Sequence, residues 1–363
     1  MPMDFPSSPT IGQQYNGYVW TGTAWDSTSA QPISLSTTAP GYNAIINGGF
    51  DIWQRGTSFT NMADVFCADR WAGLRGAFDA GMNVSQISTS NLAGTRYGAR
   101  IQRVAGNTST NNLRFGTTLE SAMSIPLAGK TVTLSFYARA GANFSSASNA
   151  VFAYLRSGTT IDAGRIIAGD NFGSGAAPVV ENNFTLTTSW QRFSMTGTVS
   201  STATQLGVGF LSGVAGTAGT NDYWEITGVQ LEEGGAATAF RRNAPSIQAE
   251  LAACQRYYYR AIADFAGTQF GLLRAESGTN AIGQVMFPVS MRTAPTSFEW
   301  SGTAAHFILG GQNCTGLTWL SDRASKTSAV MYPTVASGLA AWSAYDFRAN
   351  NTTAPWLGFN AEL

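Results

Sequence analysis

The stretch TVTLSFYA, residues 131–138, alternates strictly and sets Val132, Leu134 and Phe136 on one face. A period of two marks a half-buried β-strand, because successive side chains leave the pleat on opposite sides. The same reading extends outward. Trp190 opens a run that places Phe193 and Met195 together, and Leu206, Val208 and Phe210 alternate with Gly207 and Gly209. Trp224 and Ile226 lead into Val229-Gln230-Leu231. Gly- and Asn-rich joints part these runs, and no convincing amphipathic helix follows any of them, which disfavours βαβ folds. Residues 41–244 therefore read as one jelly-roll β-sandwich of two packed antiparallel sheets.

Residues 245–262 are the one helical candidate. Pro245 and Ser246 supply a start signal, and Ile247, Leu251, Cys254 and Tyr258 share a helical face. Residues 263–363 turn β again: 284–291 alternates around Pro288, and short apolar runs recur near Phe307, Met331 and Trp356. This part reads as a second, smaller β-sandwich. At the other end, Pro2, Pro6 and Pro9 exclude a helix. Tyr18, Trp20 and Trp25 around Gly22 suggest an aromatic hairpin, too short to stand alone, with a Ser/Thr/Pro linker up to residue 40. The chain is thus expected to be all-β, with a short helical connector between its two larger parts.

Composition narrows the function. Only 12% of the 363 residues are charged, and 21 Lys+Arg balance 21 Asp+Glu. Zero net charge offers no long-range pull on nucleic acid or anionic membrane, and no unbroken apolar run is long enough to span a bilayer. The first residues show no basic stretch followed by an apolar segment, so no secretory signal is expected. Cys67, Cys254 and Cys314 have no zinc or redox spacing and read as buried, reduced thiols. Just two basic residues are lysines, Lys130 and Lys326; the other 19 are arginines, planar donors suited to fixed pairs and interfaces.

Residues 44–71, AIINGGFDIWQRGTSFTNMADVFCADRW, carry the specific signal. The elements Asn47-Gly48-Gly49-Phe50, Ile52-Trp53-Gln54-Arg55-Gly56 and Ala68-Asp69-Arg70-Trp71 resemble a signature of tail-fibre and related virion proteins of tailed bacteriophages. Residues 223–242, residues 250–260 and the final Asn-Ala-Glu-Leu at 360–363 resemble further pieces of the same proteins, in the same order. Residues 6–25 are similar to N-terminal pieces of phage tail proteins. The central domain also resembles, more loosely, family 4/9-type carbohydrate-binding modules, which are β-sandwiches. Within the signature, Asn47, Phe50, Trp53, Arg55, Asp69, Arg70 and Trp71 read as structural. Asp69 and Arg70 beside Trp71 are expected to pair and fix the loop.

The resemblance implies a virion protein on the tail or another external surface, synthesised in the host cytoplasm. Residues 1–40, through Tyr18, Trp20 and Trp25, would attach it to other virion proteins, and fibres of this kind are commonly homotrimers. A host surface glycan is the implied partner, since aromatic faces and planar polar groups suit sugars. Among the candidate aromatics Tyr97, Tyr154, Trp300, Trp319, Trp342 and Trp356, the C-terminal tryptophans are favoured. Sandwich modules of this kind often carry a structural calcium, for which Asp51, Glu225 and Glu232 are the candidates; no other cofactor is expected.

Catalysis finds little support. Glu232 and Glu233 would point to opposite faces of a strand. The single histidine, His306, has no Gly-x-Ser-x-Gly elbow beside it. The expected function is a non-enzymatic tail fibre or receptor-binding protein. The alternatives are a baseplate, head-fibre or capsid-decorating protein with an assembly role only, and a polysaccharide depolymerase.

Overall fold

A computed structural model describes residues 6–10, 13–15, 18–20, 25–27, 42–62, 65–75, 81–164 and 176–363. The linker expected before residue 41 lies outside them. Near the N-terminus, β1 (Gln14–Tyr15), β2 (Tyr18–Trp20) and β3 (Trp25–Ser27) form a three-stranded antiparallel sheet, one strand more than the expected hairpin. Trp20 and Trp25 are cross-strand partners in it.

The sandwich is built from β4 (Ser58–Phe59), β5 (Val65–Phe66), β6 (Ala72–Arg75), β7 (Met82–Ser88), β8 (Tyr97–Arg103), β9 (Leu113–Thr118), β10 (Thr131–Ala140), β11 (Ala150–Gly158), β12 (Ala177–Thr185), β13 (Gln191–Thr198), β14 (Gln205–Ser212) and β15 (Tyr223–Glu233). One sheet runs β13-β10-β15-β8-β7-β4 and the other β12-β11-β14-β9-β6-β5. Consecutive strands from β9 onward mostly cross between the two sheets, as in a jelly roll. The alternation that identified β10 sends Val132, Leu134 and Phe136 into the core with Leu206, Val208, Phe210, Trp224 and Ile226. Among the described residues of this part, α1 (Ser121–Ser124) is the one α-helix.

The two sheets differ on their outer faces. On the first, residues 234–241 fold back over the strands. Thr133 Oγ1 donates to Gly234 O at 2.7 Å, Thr238 donates to both Glu232 oxygens, and Arg241 N donates to Gln230 Oε1 at 2.7 Å. Thr133, Ser135, Gln230 and Glu232 are consequently buried although they point away from the core. No comparable segment among the described residues covers the second sheet.

The helix α2 (Ile247–Gln255) starts as expected, with Ser246 accepting from Ala249 N. It ends earlier than expected. Tyr258–Ile262 forms β16, because a Tyr-Tyr-Tyr run favours a pleated, half-buried strand. Tyr258 meets the helical spacing by coincidence. The remaining strands are β17 (Gln269–Ala275), β18 (Ala281–Met286), β19 (Ser297–Trp300), β20 (Phe307–Leu309), β21 (Gln312–Leu320), β22 (Ser328–Val335), β23 (Ala344–Ala349) and β24 (Trp356–Asn360). Pro288 lies past the end of β18, since it has no N–H to offer a ladder.

The C-terminal part is not a second sandwich. Strands β17-β18-β22-β21-β20-β23 close into a barrel, and β16-β24-β19 form a separate three-stranded sheet. Closure removes the exposed edges that two small open sheets would present. The three-stranded sheet has two working faces. Tyr259, Ala261, Phe298, Trp300, Leu357 and Phe359 pack into the barrel core. Tyr258, Arg260 and Glu299, which alternate with them, face the sandwich.

Candidate functional site

The signature residues assemble a junction between the sandwich and the C-terminal part. Asn47 takes φ 58°, a left-handed conformation that Asn tolerates. Its side chain then staples the loop: Nδ2 donates to Ile52 O (2.8 Å) and Asp69 O (3.0 Å), and Oδ1 accepts from Ile52 N (3.0 Å). Gly48 is required beside it, because a Cβ there would sit 2.0 Å from Val229 O. Phe50 and Trp71 are fully buried, 4.9 Å apart by ring centroids, and Trp53 Nε1 donates to Phe50 O at 2.8 Å.

Asp69 and Arg70 do not pair with each other. Asp69 accepts from Gln54 N (2.9 Å) and from Gln54 Nε2, which also reaches Tyr258 O (2.7 Å). Arg70, at φ 69°, turns the opposite way. It forms an ion pair with Glu362, donates to Thr118 O (2.6 Å) and lies 3.7 Å over the Tyr257 ring. Burial pushes the Asp69 carboxyl up to about 6, opposed by the nearby Arg55 charge and the bonds from Gln54. Arg55 stacks 3.5 Å over the Tyr258 ring. Tyr257 donates to Glu120 at 2.7 Å, and Glu250 accepts from Asn47 N and Ala244 N. Residues 44–71, 250–260 and 360–363, separated in sequence, thus meet in one place. Their role here is to clamp.

The four tryptophans favoured for glycan contact do not share a platform. Trp300 and Trp319 are half-buried against the barrel core, 6.2 Å from Phe307 and 6.1 Å from Phe298 respectively. Trp356 lies beneath Arg260, at 3.5 Å. Trp342 alone of the four stands out, 74% exposed, with Arg274 4.7 Å from its ring.

Another arrangement lies on the outer face of the second sandwich sheet, where Tyr154 is buried and Phe152 and Leu211 are half-buried against it. Gly116 of β9 pairs with Gly209 of β14, and Gly209 pairs with Tyr154 of β11. The Tyr154 ring lies across Gly209, where a Cβ would meet it at 2.2 Å. Phe152 is 5.9 Å away, and Phe66, Leu211 and Ala72 complete an apolar floor. Arg156 extends over Tyr154 at 4.8 Å and reaches Glu181 at 3.4 Å. Arg114, half-buried, flanks the same ring, whose phenol is pushed up by burial. Tyr154 was among the candidate aromatics; Phe152, Arg114 and Arg156 were missed. The available signal was the strand with large core residues and glycine on its other face.

No family model matches the chain, and no curated protein matches it. Among solved structures, it is similar to a CBM4 module, with 18% identity and TM-score 0.32 over 52% of this chain and 98% of the other. It is similar to the enzymatically active domain of bacteriophage CBA120 tailspike protein 4, with 14% identity and TM-score 0.33 over 53% of this chain and 21% of the other. TmCBM61 in complex with β-1,4-galactotriose aligns at 13% identity and TM-score 0.31, over 53% and 99% of the two chains. At these values no residue's role is carried across.

The three carboxylates considered for calcium lie apart, each already engaged. Asp51 pairs with Arg242 at 2.8 Å, Glu225 with Arg100 at 2.5 Å and with Arg139, and Glu232 with Thr238 and Gln230. They do not form a common cage, and no cluster of three potential metal ligands occurs among the described residues. Cys67, Cys254 and Cys314 are free and buried; burial lifts the Cys67 and Cys314 thiols to about 12, far from a reactive thiolate.

Proposed function

We propose that this chain is a structural virion protein of a tailed bacteriophage, a tail fibre or receptor-binding protein that holds a host surface glycan without cleaving it. The observation that carries the binding role is the outer sheet face: half-buried Phe152 and Leu211 packed on the buried Tyr154, which is seated on Gly209, with Arg114, Arg156 and Glu181 at the rim. An apolar floor with planar donors and a carboxylate suits a sugar ring and its hydroxyls. Trp342 adds an exposed contact on the barrel. The signature's resemblance to phage tail proteins supports the virion role. On that reading residues 1–40 attach the chain to its neighbours, and a homotrimer presents several faces at once, gaining avidity.

The test is retention of bacterial surface polysaccharides by the purified full chain, compared with the double variant Phe152→Ala, Arg156→Ala. Wild type should retain at least one polysaccharide and leave its length unchanged, while the double variant loses it. No retention overturns the binding role, and shortening of the glycan favours a depolymerase. A monomeric mass at micromolar concentration would count against the trimer.

A further inference from the structure

The outer face of the barrel is unlike an ordinary solvated sheet. Strands β18, β21 and β22 together hold no charged side chain. Alternation sends Val285, Leu317, Ala329 and Met331 into the barrel core and turns Ile282, Gln284, Met286, Leu320, Val330 and Tyr332 outward. Register sets them side by side: Val330 pairs with Gln284 on one flank and with Leu320 on the other. Val330 is 6% exposed although it lies outside the core, so its neighbours on this face already shield it. Leu272 of the adjoining β17 extends the face. Leu272 and Met286 are 70% and 61% exposed, large apolar side chains that the single chain leaves in water.

Charge identifies what can cover it. The border on β17 and β23 carries charges already paired in place, Arg274 with Glu276 at 3.3 Å and Arg348 with Asp346 at 2.7 Å, so it is neutral with both signs present. Asp346 is the cross-strand partner of Leu272, which puts this mixed border directly beside the apolar centre. A strongly acidic or basic partner finds no complement there. A second copy of this chain brings the same apolar centre and the same mixed border, with each sign available to meet its opposite. The chain has zero net charge, so approaching copies meet no long-range repulsion. Barrel closure leaves these strands no free edge, so copies must meet face to face. We infer that this outer barrel face, built around Leu272, Ile282, Met286 and Val330, is the surface through which copies of the chain pack on one another. It rests on the homotrimer proposed above and supplies its contact.

Sedimentation of the full chain at micromolar concentration tests this with two double variants. Leu272→Asp, Met286→Asp changes exposed barrel positions and should leave the thermal midpoint nearly unchanged. It should raise the dissociation constant at least about 100-fold, because each new charge would be buried unpaired between copies. Ile125→Asp, Ile161→Asp makes the same change at sandwich positions that are 49% and 65% exposed, and should keep the wild-type mass. In wild type, peroxide should oxidise Met286 more slowly as concentration rises through the association range. That measurement needs no variant, so it decides the matter even if the barrel variant melts early. A barrel variant that stays assembled, or Met286 oxidising equally fast in the multimer, overturns this face and leaves the homotrimer standing. Equal dissociation of the two double variants also overturns it. A monomeric wild type overturns the homotrimer and this face together.

Discussion

Arg70 and Glu362 form a buried ion pair across 292 residues of sequence, with side chains 4% and 3% exposed. The last residues of the chain therefore lock onto a loop near its beginning. Arg292 reinforces the lock by donating to Ala361 O and Glu362 O at 3.1 and 3.0 Å. Removing one partner of such a pair strands the other charge, a loss of about 3–5 kcal/mol. Glu362→Ala is expected to lose that much in urea unfolding, more than an ordinary surface deletion. A loss below about 1 kcal/mol, the range of an exposed pair, would show that the clamp does not depend on it.

Asp69 gives the same junction a pH signature. Its carboxyl is raised in the folded state, so the folded state binds the proton more readily than the unfolded chain. The associated stability is present below the ordinary carboxylate value near 4 and is lost as pH rises through about 6. The ceiling is about 3 kcal/mol, at about 1.4 kcal/mol per pKa unit. Asp69→Asn is expected to remove this component, so the stability difference between wild type and variant should change between those pH values. Parallel stability curves would reject the assignment.

Much of this arrangement was legible in the sequence, and the remainder was hidden for identifiable reasons. The sandwich strands declared themselves because Val132, Leu134 and Phe136 must lie on one face whatever their neighbours. Barrel closure was hidden because a strand alternates alike in an open sheet and a closed one. The signature could be read as structural from Phe50, Trp53 and Trp71, but adjacency suggested the wrong partner for Arg70. Its true partner, Glu362, is set by the return of β24, which no local pattern encodes. Tyr154 was visible as an aromatic; that Gly209 makes room for it depends on strand register.

That register makes Gly209→Ala informative. The added Cβ would overlap the Tyr154 ring at 2.2 Å, and core-like overpacking costs about 1–3 kcal/mol. The ring must tilt out of the floor, so glycan retention is expected to fall together with thermal stability. Tyr154→Phe keeps the ring and serves as the comparison, with retention expected to survive. Equal retention by wild type and Gly209→Ala would remove Tyr154 from the site.

Trp342 separates binding from folding most cleanly. A bulky residue at φ 71° is strained, and 74% of this one is exposed, so the fold gains little from it. Glycine at this position relieves about 1 kcal/mol of left-handed strain. It forfeits an exposed cation–π contact with Arg274 of comparable size, about 0.5–1 kcal/mol. Trp342→Gly is therefore expected to unfold within about 1 kcal/mol of wild type. If the indole meets glycan, the same variant should lose adhesion to host cells severalfold. Trp342→Tyr, which keeps an aromatic face, should retain most of it. Undiminished adhesion by the glycine variant at unchanged stability would exclude Trp342 from recognition, and a large drop in stability would mean the side chain supports the barrel instead.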